Sequence, residues 1–372
     1  MKTLFTLIAL FIWTCSYTQI KVSDYAKPND KDGGIAIQRA FRAIDSIGHG
    51  SVEFDGTKTY VISKCIELPR ISKNGRRIIV LNGNGCVLQA KNDSVCIFNR
   101  IPENQKEALN KMMSTRFTIN DFTFMGGKKG INLGASYGSG INRCNFQNQK
   151  EAAIDIQFGL NTAINHCNST NAYKDNFVLR TGEDWGGNGV NSQSNHSVIS
   201  MTRVYARKGA KTAFKILGSS GVALRDIISE GSKEINYSIY VDKQKSTTVR
   251  LFTVENFHLE HAPIKAAIYI KSAGISKIDG LFYQLARPDW PLIQAGANTD
   301  QITVKNIPHF VTGTVLQQDK SGDGAVWLLE SCHKNFYDAA NWRVKNKLGI
   351  YQKKLPYYFK GNGGKYQIDK TY

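Results

Sequence analysis

Apolar residues recur between positions 116 and 319 with two interleaved rhythms: alternation inside short segments, and a coarser repeat of roughly 23 to 27 residues with one longer turn. Six successive units open alike, at Ile119-Asn120-Asp121-Phe122, Ile141-Asn142-Arg143-Cys144, Ile164-Asn165-His166-Cys167, Met201-Thr202-Arg203-Val204, Leu224-Arg225-Asp226-Ile227 and Val254-Glu255-Asn256-Phe257. Weaker copies follow at Ile278-Asp279-Gly280-Leu281 and Val304-Lys305-Asn306-Ile307. About ten to thirteen residues after most of these starts comes a second alternating segment: Ile131/Leu133, Ile154/Ile156, Phe177/Leu179, Phe214/Ile216, Ile239/Val241 and Ile268/Ile270. Period-two alternation predicts strands with one buried face. With no helical periodicity between them, the pattern predicts an all-β parallel solenoid whose coils stack at about 4.8 Å.

The third position of the opening segment reads Asp121, Arg143, His166, Arg203, Asp226, Asn256, Gly280, Asn306 down the stack. These are residue types that accept a left-handed backbone, so the column is read as a turn ladder ahead of a functional one. Cys144 and Cys167 occupy equivalent places and are read as an interior ladder first, a disulfide second and a metal site last. Towards the N-terminus, Ile35, Ile37, Ala40, Phe41 and Ile44 have helical spacing over residues 32–47, ending at Gly48. Strands are expected at 51–54 and Thr59–Ile62. A helix there would cover the apolar end of the first coil and block edge pairing. The stretch 321–372, with Trp327 and Trp342, has no repeat match and is expected to be a C-terminal cap or appendage.

Composition narrows the class. The chain has 372 residues, 41% hydrophobic and 21% charged, which supports a packed core and excludes wholesale disorder. No apolar run reaches the roughly 18 to 20 residues that a membrane span needs. Met1-Lys2-Thr3, the apolar run from Leu4 to Trp13 and the small polar run from Thr14 to Thr18 have the layout of a secretory signal peptide. Residues 1–19 are thus expected to be a leader, with a mature start at Gln19 or Ile20 and a secreted product. Cys15 offers a lipid-anchor alternative, for which Trp13 and Thr14 make a poor lipobox. The 48 Lys+Arg against 30 Asp+Glu give a formal net charge of +18. A basic exported protein points to a polyanionic partner: acidic polysaccharide, uronate or sulfated, ahead of anionic lipid, wall polymer or nucleic acid. The plain alternative is charge that only keeps the protein soluble.

The stretch Ser23-Asp24-Tyr25-Ala26-Lys27-Pro28-Asn29-Asp30, then Ile35-Ala36-Ile37-Gln38-Arg39-Ala40, Gly50-Ser51-Val52-Glu53-Phe54 and Thr59-Tyr60 resembles the opening of the pectate-lyase-like superfamily, which also includes phage tailspikes. With the coils, the resemblance covers residues 20–320. It implies a right-handed parallel β-helix with an N-terminal capping helix. Family members include polysaccharide lyases, glycoside hydrolases and non-catalytic binding proteins, and phage relatives are often trimers, so both monomer and trimer stay open. The family usually has a fuller Gly-Ala-Lys-Gly-Asp-Gly stretch and paired Asp residues before its first helix. Here Ala26 follows Tyr25 directly and Gly33-Gly34 stand at the acidic pair.

The resemblance also implies that sugar lies across one sheet. If the second segment of each coil builds that sheet, two outward columns follow: Asn132, Asp155, Val178, Lys215, Tyr240, Tyr269, and Gly134, Gln157, Arg180, Leu217, Asp242, Lys271. The long turn after Arg180 adds Glu183, Asp184 and Trp185, the last of these suited to stacking on a sugar ring. The opposite border is expected to carry Arg207, Lys208, Lys211, Glu230, Lys233, Glu234, His258, Glu260 and His261; the histidines lack zinc spacing. β-Elimination needs a cation for the uronate carboxylate, a base and an acid. The residues assigned are Arg180 or Lys271 as neutraliser, Lys215 as base, Tyr240 as acid and Asp242 to orient a cation. Hydrolysis of an anionic polysaccharide such as a sulfated galactan is the alternative enzyme reading, and non-catalytic glycan binding the third. No cofactor is read from the sequence, and Ca²⁺ dependence is left to assay.

Overall fold

The computed structural model describes residues 18–70, 77–112, 115–182, 185, 198–230, 235–260, 263–283 and 291–306. It also gives the backbone of Val315–Gln318, Val326–Glu330, Asn341–Asn346, Gly349–Gln352, Tyr357–Lys360 and Tyr366–Ile368. Most of the expected leader, together with Glu183, Asp184, Lys233, Glu234 and His261, lies outside the described residues.

The alternating segments form strands that pair in parallel from coil to coil, in three columns around one apolar interior. Sheet A runs through Gly50–Glu53, Arg77–Asn82, Thr115–Asn120, Gly140–Asn142, Ala163–Asn165, Val198–Ser200 and Val222–Arg225. Sheet B runs through Thr59–Ile62, Val87–Ala90, Thr123–Met125, Asn145–Gln147, Asn168–Thr170, Arg203–Tyr205 and Ile228–Glu230. Sheet C runs through Ile66–Glu67, Cys96–Arg100, Lys129–Tyr137, Ala152–Leu160, Asp175–Arg180, Thr212–Leu217 and Tyr237–Asp242. All three columns continue in the long strands Val249–Leu259 and Ala266–Tyr283, and sheets A and C also in Pro291–Lys305. Val326–Glu330 and Asn341–Asn346 extend the parallel pairing beyond residue 320, and antiparallel pairs finish it.

One residue of every pair on sheet C faces inward. Ile131, Ile154, Phe177, Phe214, Ile239 and Ile268 are all fully buried. Phe124 stacks on Phe146 at 4.9 Å and Phe177 on Phe214 at 5.6 Å, so the interior is a file of rings repeated at the coil spacing. Cys144 and Cys167 sit in this interior as free thiols, each bonded to backbone carbonyls such as Asn142 O (3.3 Å) and Asn165 O (3.4 Å).

Between sheets A and B the chain turns on a single left-handed residue: Asp121, Arg143, His166, Met201, Asp226, Asn256, Gly280 and Asn306 all have positive φ. The sequence alignment above places Arg203 in this ladder, and Met201 holds the position instead. Asn165 pairs with Ser200, so the unit opens at Ile199 and Arg203 belongs to sheet B. A slip of two residues preserves alternation, which is why periodicity alone does not detect it. Just before the turn, Asn120 donates to Asn82, Asn142 to Asn120 and Asn165 to Asn142 at 3.0 to 3.1 Å, tying coils together on the outside.

Helix α1, Gly33–Ile47, buries Ala36, Ile37, Ala40, Phe41 and Ile44 against the first coils. Phe41 meets Phe54 at 6.4 Å and Phe98 at 5.8 Å. Asp32 caps the helix by accepting from Gly34 N at 2.8 Å, and Gly48 ends it at φ 97°. A side chain at Gly33 would lie 2.9 Å from Tyr60 Cβ, so the packing against Thr59–Ile62 leaves no ready space for one. Among the described residues no helix is long and apolar enough to cross a membrane.

Candidate functional site

Sheet C presents its polar side outward, and its register sets Asn132, Asp155, Val178, Lys215, Tyr240 and Tyr269 in one file. Gly134, Gln157, Arg180, Leu217 and Asp242 form the next file. A third file, Lys129, Ala152, Asp175, Thr212 and Tyr237, opens the same strands. Its polar members were missed by sequence reasoning, because they precede the alternating residues that mark each strand. Their only signal is position, two residues ahead of the first inward apolar side chain.

These files meet in charge-paired clusters. At one end, Asp155 accepts from Lys129 Nζ at 2.6 Å and from Arg180 Nε and Nη2 at 2.8 and 3.1 Å. Burial alone would raise the Asp155 carboxyl, but Arg180 and then Lys129 hold it below its ordinary value. Asp155 is thus an ionised bridge between two cations, already engaged on both oxygens. Gln157 beside it is buried to 2% exposure.

Further along, Lys215 Nζ donates to Asp175 Oδ2 at 3.0 Å, with the lysine partly open to solvent and the aspartate buried. On the following coil the Tyr240 hydroxyl donates to Asp242 Oδ2 at 2.8 Å. Lys271 Nζ reaches the same oxygen at 2.7 Å from the coil after, and its side chain is half exposed. Burial first, and the Asp242 carboxylate second, push the Tyr240 hydroxyl well above its ordinary value. Tyr240 thus keeps its proton, as a donor must. Tyr237, Tyr240 and Tyr269 lie with ring centroids 5.3 to 5.6 Å apart, an aromatic surface between the two lysines.

One wall of this face comes from the segment after Cys96–Arg100. Its helical turns, Gln105–Glu107 and Ala108–Met112, pack Ala108 and Met112 with Ala135 and Phe158 in a small separate apolar cluster. Trp185 joins that cluster, edge-on to Phe158 at 6.2 Å. Its ring is therefore committed to the wall on at least one side. A side chain at Gly134 would lie 3.0 Å from Trp185 and 2.7 Å from Pro102, so the wall closes over the sheet at that coil. Arg100 pins the segment from beneath: fully buried, it donates to the carbonyls of Met112 and Ala135. Burial lowers its guanidinium to about 9.

The other sequence candidates divide. Arg207 and Lys211 stand exposed at the turn between sheets B and C, Arg207 over the Tyr173 ring at 3.8 Å. Glu230 ends a sheet B strand and Glu260 directly follows one, both just before this turn, and His258 stands two residues before Glu260. Glu230 faces Arg203 (3.3 Å), and His258 packs on Phe282 (4.9 Å) with Nε2 3.8 Å from Glu260. All three lie along sheet B, which faces a different direction because the chain turns a corner before sheet C. Among the described residues no group of three His, Cys, Asp or Glu is placed to hold a metal ion.

No protein-family model matches the chain, and no curated protein matches it. Solved structures do. The A-module of the Azotobacter vinelandii mannuronan C-5 epimerase AlgE6 superposes with a TM-score of 0.53 at 13% identity, over 88% of this chain and 96% of that one. PfbA, a surface adhesin of Streptococcus pneumoniae, gives 0.53 at 13% identity over 94% and 98%. A mutant tailspike protein of E. coli bacteriophage HK620, in complex with pentasaccharide, gives 0.53 at 12% identity over 84% of this chain and 60% of that one. The chain has the fold of these pectate-lyase-like, right-handed parallel β-helix proteins.

Proposed function

We propose that this protein is exported by its leader and that the outward face of sheet C binds an acidic polysaccharide and cleaves it by β-elimination. The observation that carries the reading is the contact chain Lys271–Asp242–Tyr240 beside Lys215–Asp175 on adjoining coils. It supplies a cation, a retained phenolic proton and a lysine backed by a carboxylate within the span of a few coils. The likeness to a mannuronan C-5 epimerase module and to a tailspike bound to a pentasaccharide agrees with a glycan partner.

In this mechanism Lys271, half exposed and held by Asp242, meets the uronate carboxylate. Arg180 is already committed to Asp155. Lys215, held by Asp175 on the preceding coil, is the side chain placed to take the proton next to the sugar carboxylate, a step it performs as the neutral amine. The electron pair of that C–H bond becomes the new C=C bond, the glycosidic C–O bond breaks, and Tyr240 protonates the leaving oxygen. Hydrolysis would need two carboxyl groups about 5 to 9.5 Å apart. Asp155 and Asp242 are three coils apart, about 14 Å at the strand spacing, and each is already ion paired.

The test is an incubation of the purified protein with a panel of acidic polysaccharides, with and without Ca²⁺, following unsaturated-uronate absorbance and reducing ends together. Both signals should rise, and Lys215→Ala or Tyr240→Phe should lower the rate by about 100-fold or more. Full turnover in both variants would remove the site assignment. Reducing ends without absorbance would mean hydrolysis and direct attention to Glu183 and Asp184. Binding without any product would leave a glycan-binding protein.

A further inference from the structure

The turns that join sheet B to sheet C lie one above another along the solenoid, and their backbones are hydrogen bonded from coil to coil. Glu151 N donates to Lys128 O at 2.9 Å, Lys211 N to Lys174 O at 2.6 Å and Lys265 N to Asn236 O at 3.1 Å. Cationic side chains recur at this corner: Lys128, Lys150, Lys174, then Arg207 and Lys211, then Lys265. Lys128 is paired with Glu151 at 3.8 Å and Lys150 with Asp93 at 3.2 Å. Lys174, Arg207, Lys211 and Lys265 are exposed and make no ion pair with a described residue.

Tyr173, itself in one of these turns, holds the corner together. Lys150 Nζ from the preceding coil and Arg207 Cζ from the following one lie 3.9 and 3.8 Å from the centre of its ring. Two cations, one from the coil on either side of Tyr173, are thereby held in place rather than left to wander in solvent. The reaction face differs: Lys129 and Arg180 are matched to Asp155, Lys215 to Asp175 and Lys271 to Asp242. Among the described residues, Lys174, Arg207, Lys211 and Lys265 thus set exposed positive charge without an ion-pair partner along the corner beside sheet C.

We propose that this corner is an exosite, a second surface that holds an acidic polysaccharide chain alongside the reaction face. It rests on the reading of an acidic glycan as the partner. Down the stacked turn the file reads Lys128, Glu151, Lys174, Lys211, Asn236 and Lys265, with Lys150 and Arg207 beside it on the Tyr173 ring. Exposed Asn148 and Asn171, at φ 62° and 59°, set amides among them. Charge in a line with amides between suits one linear chain bearing anionic groups and hydroxyls. Single-stranded nucleic acid is held by open aromatic rings on which bases stack, and the Tyr173 ring is already occupied by its cations.

The experiment compares two charge-reversed variants of the full protein: Lys174→Glu/Arg207→Glu/Lys211→Glu at the corner, and Lys21→Glu/Arg42→Glu/Arg250→Glu, three exposed cations elsewhere. Binding to immobilised polygalacturonate and to a sulfated galactan is measured across a salt series, with double-stranded DNA and anionic phospholipid vesicles as counter-probes. The corner variant should bind at least one glycan roughly tenfold more weakly and elute at lower salt, while the control variant stays close to wild type. Equal loss in both variants would reduce the effect to net charge and overturn the exosite. Wild-type-like glycan binding by the corner variant, no glycan binding by the wild type, or a loss confined to DNA or vesicles would overturn it as well. Binding is read without turnover, so failure of the β-elimination mechanism leaves this result intact. Circular dichroism and thermal melting of both variants confirm that each is folded.

Discussion

Asp155 illustrates how one buried carboxylate can organise a surface. Its two oxygens hold Lys129 and Arg180 from different coils, and both cations were absent from any local signal around Asp155 itself. Asp155→Asn should leave two cations without their counter-charge and cost about 3 to 5 kcal/mol, read from the urea midpoint. The sign of the pH effect follows from its lowered folded value. The contribution is complete above the unfolded carboxyl value of about 3.9 and is lost as pH falls through the lower folded one. The acid limb of the stability profile should therefore be shallower in Asp155→Asn than in wild type. If the two profiles run parallel, Asp155 is not the ionised bridge described here. Tyr240 carries the opposite shift, which suits a proton donor and argues against it as a base.

At the level of elements, each strand is short and gains its stability from the coils on either side. Phe177 touches both neighbours, Phe146 at 6.3 Å and Phe214 at 5.6 Å. Phe177→Ala should cost about 3 to 5 kcal/mol, with hydrogen exchange rising first in the adjoining strands Ala152–Leu160 and Thr212–Leu217. Uniform loss of protection across the whole chain would contradict a stack held by nearest neighbours. Helix α1 depends on a different device. Asp32 accepts from Gly34 N and from the Ser63 hydroxyl, joining the helix start to the first coil. Asp32→Ala should lower stability by about 1 kcal/mol, the usual scale for an N-cap, and more if the Ser63 contact counts separately. A Ser63→Ala comparison measures that second share.

For the whole molecule, the solenoid separates three tasks in space. The interior is apolar and repetitive, sheet C gathers paired charges and phenols, and at the corner beside it Lys174, Arg207, Lys211 and Lys265 make no ion pair with a described residue. The net charge of +18 is thus not spread evenly in effect, because much of it on sheet C is cancelled locally. Glycan affinity should fall steeply with salt, while unfolding by urea should respond to salt much less, since the core holds the stack.

Alternation, repeat length and left-handed turn residues are local properties, and they determined the all-β parallel solenoid, the inward files, the helix at 33–47 and two outward columns of sheet C. Lys215, Tyr240, Asp242 and Lys271 were legible for that reason: each stands at a fixed step from an inward apolar residue. Asp175, Lys129 and Tyr237 were not, because the contacts that matter join residues of different coils, 26 or more positions apart, and begin just outside the alternating core of each strand. Glu230, His258 and Glu260 prove to be carried by sheet B, which was not legible because a linear chain does not record which sheet a residue faces at a corner. Only stacking in three dimensions decided which charges cancel one another and which stay open to a partner, because electrostatic pairing depends on distance through space and alternation only on position along the chain.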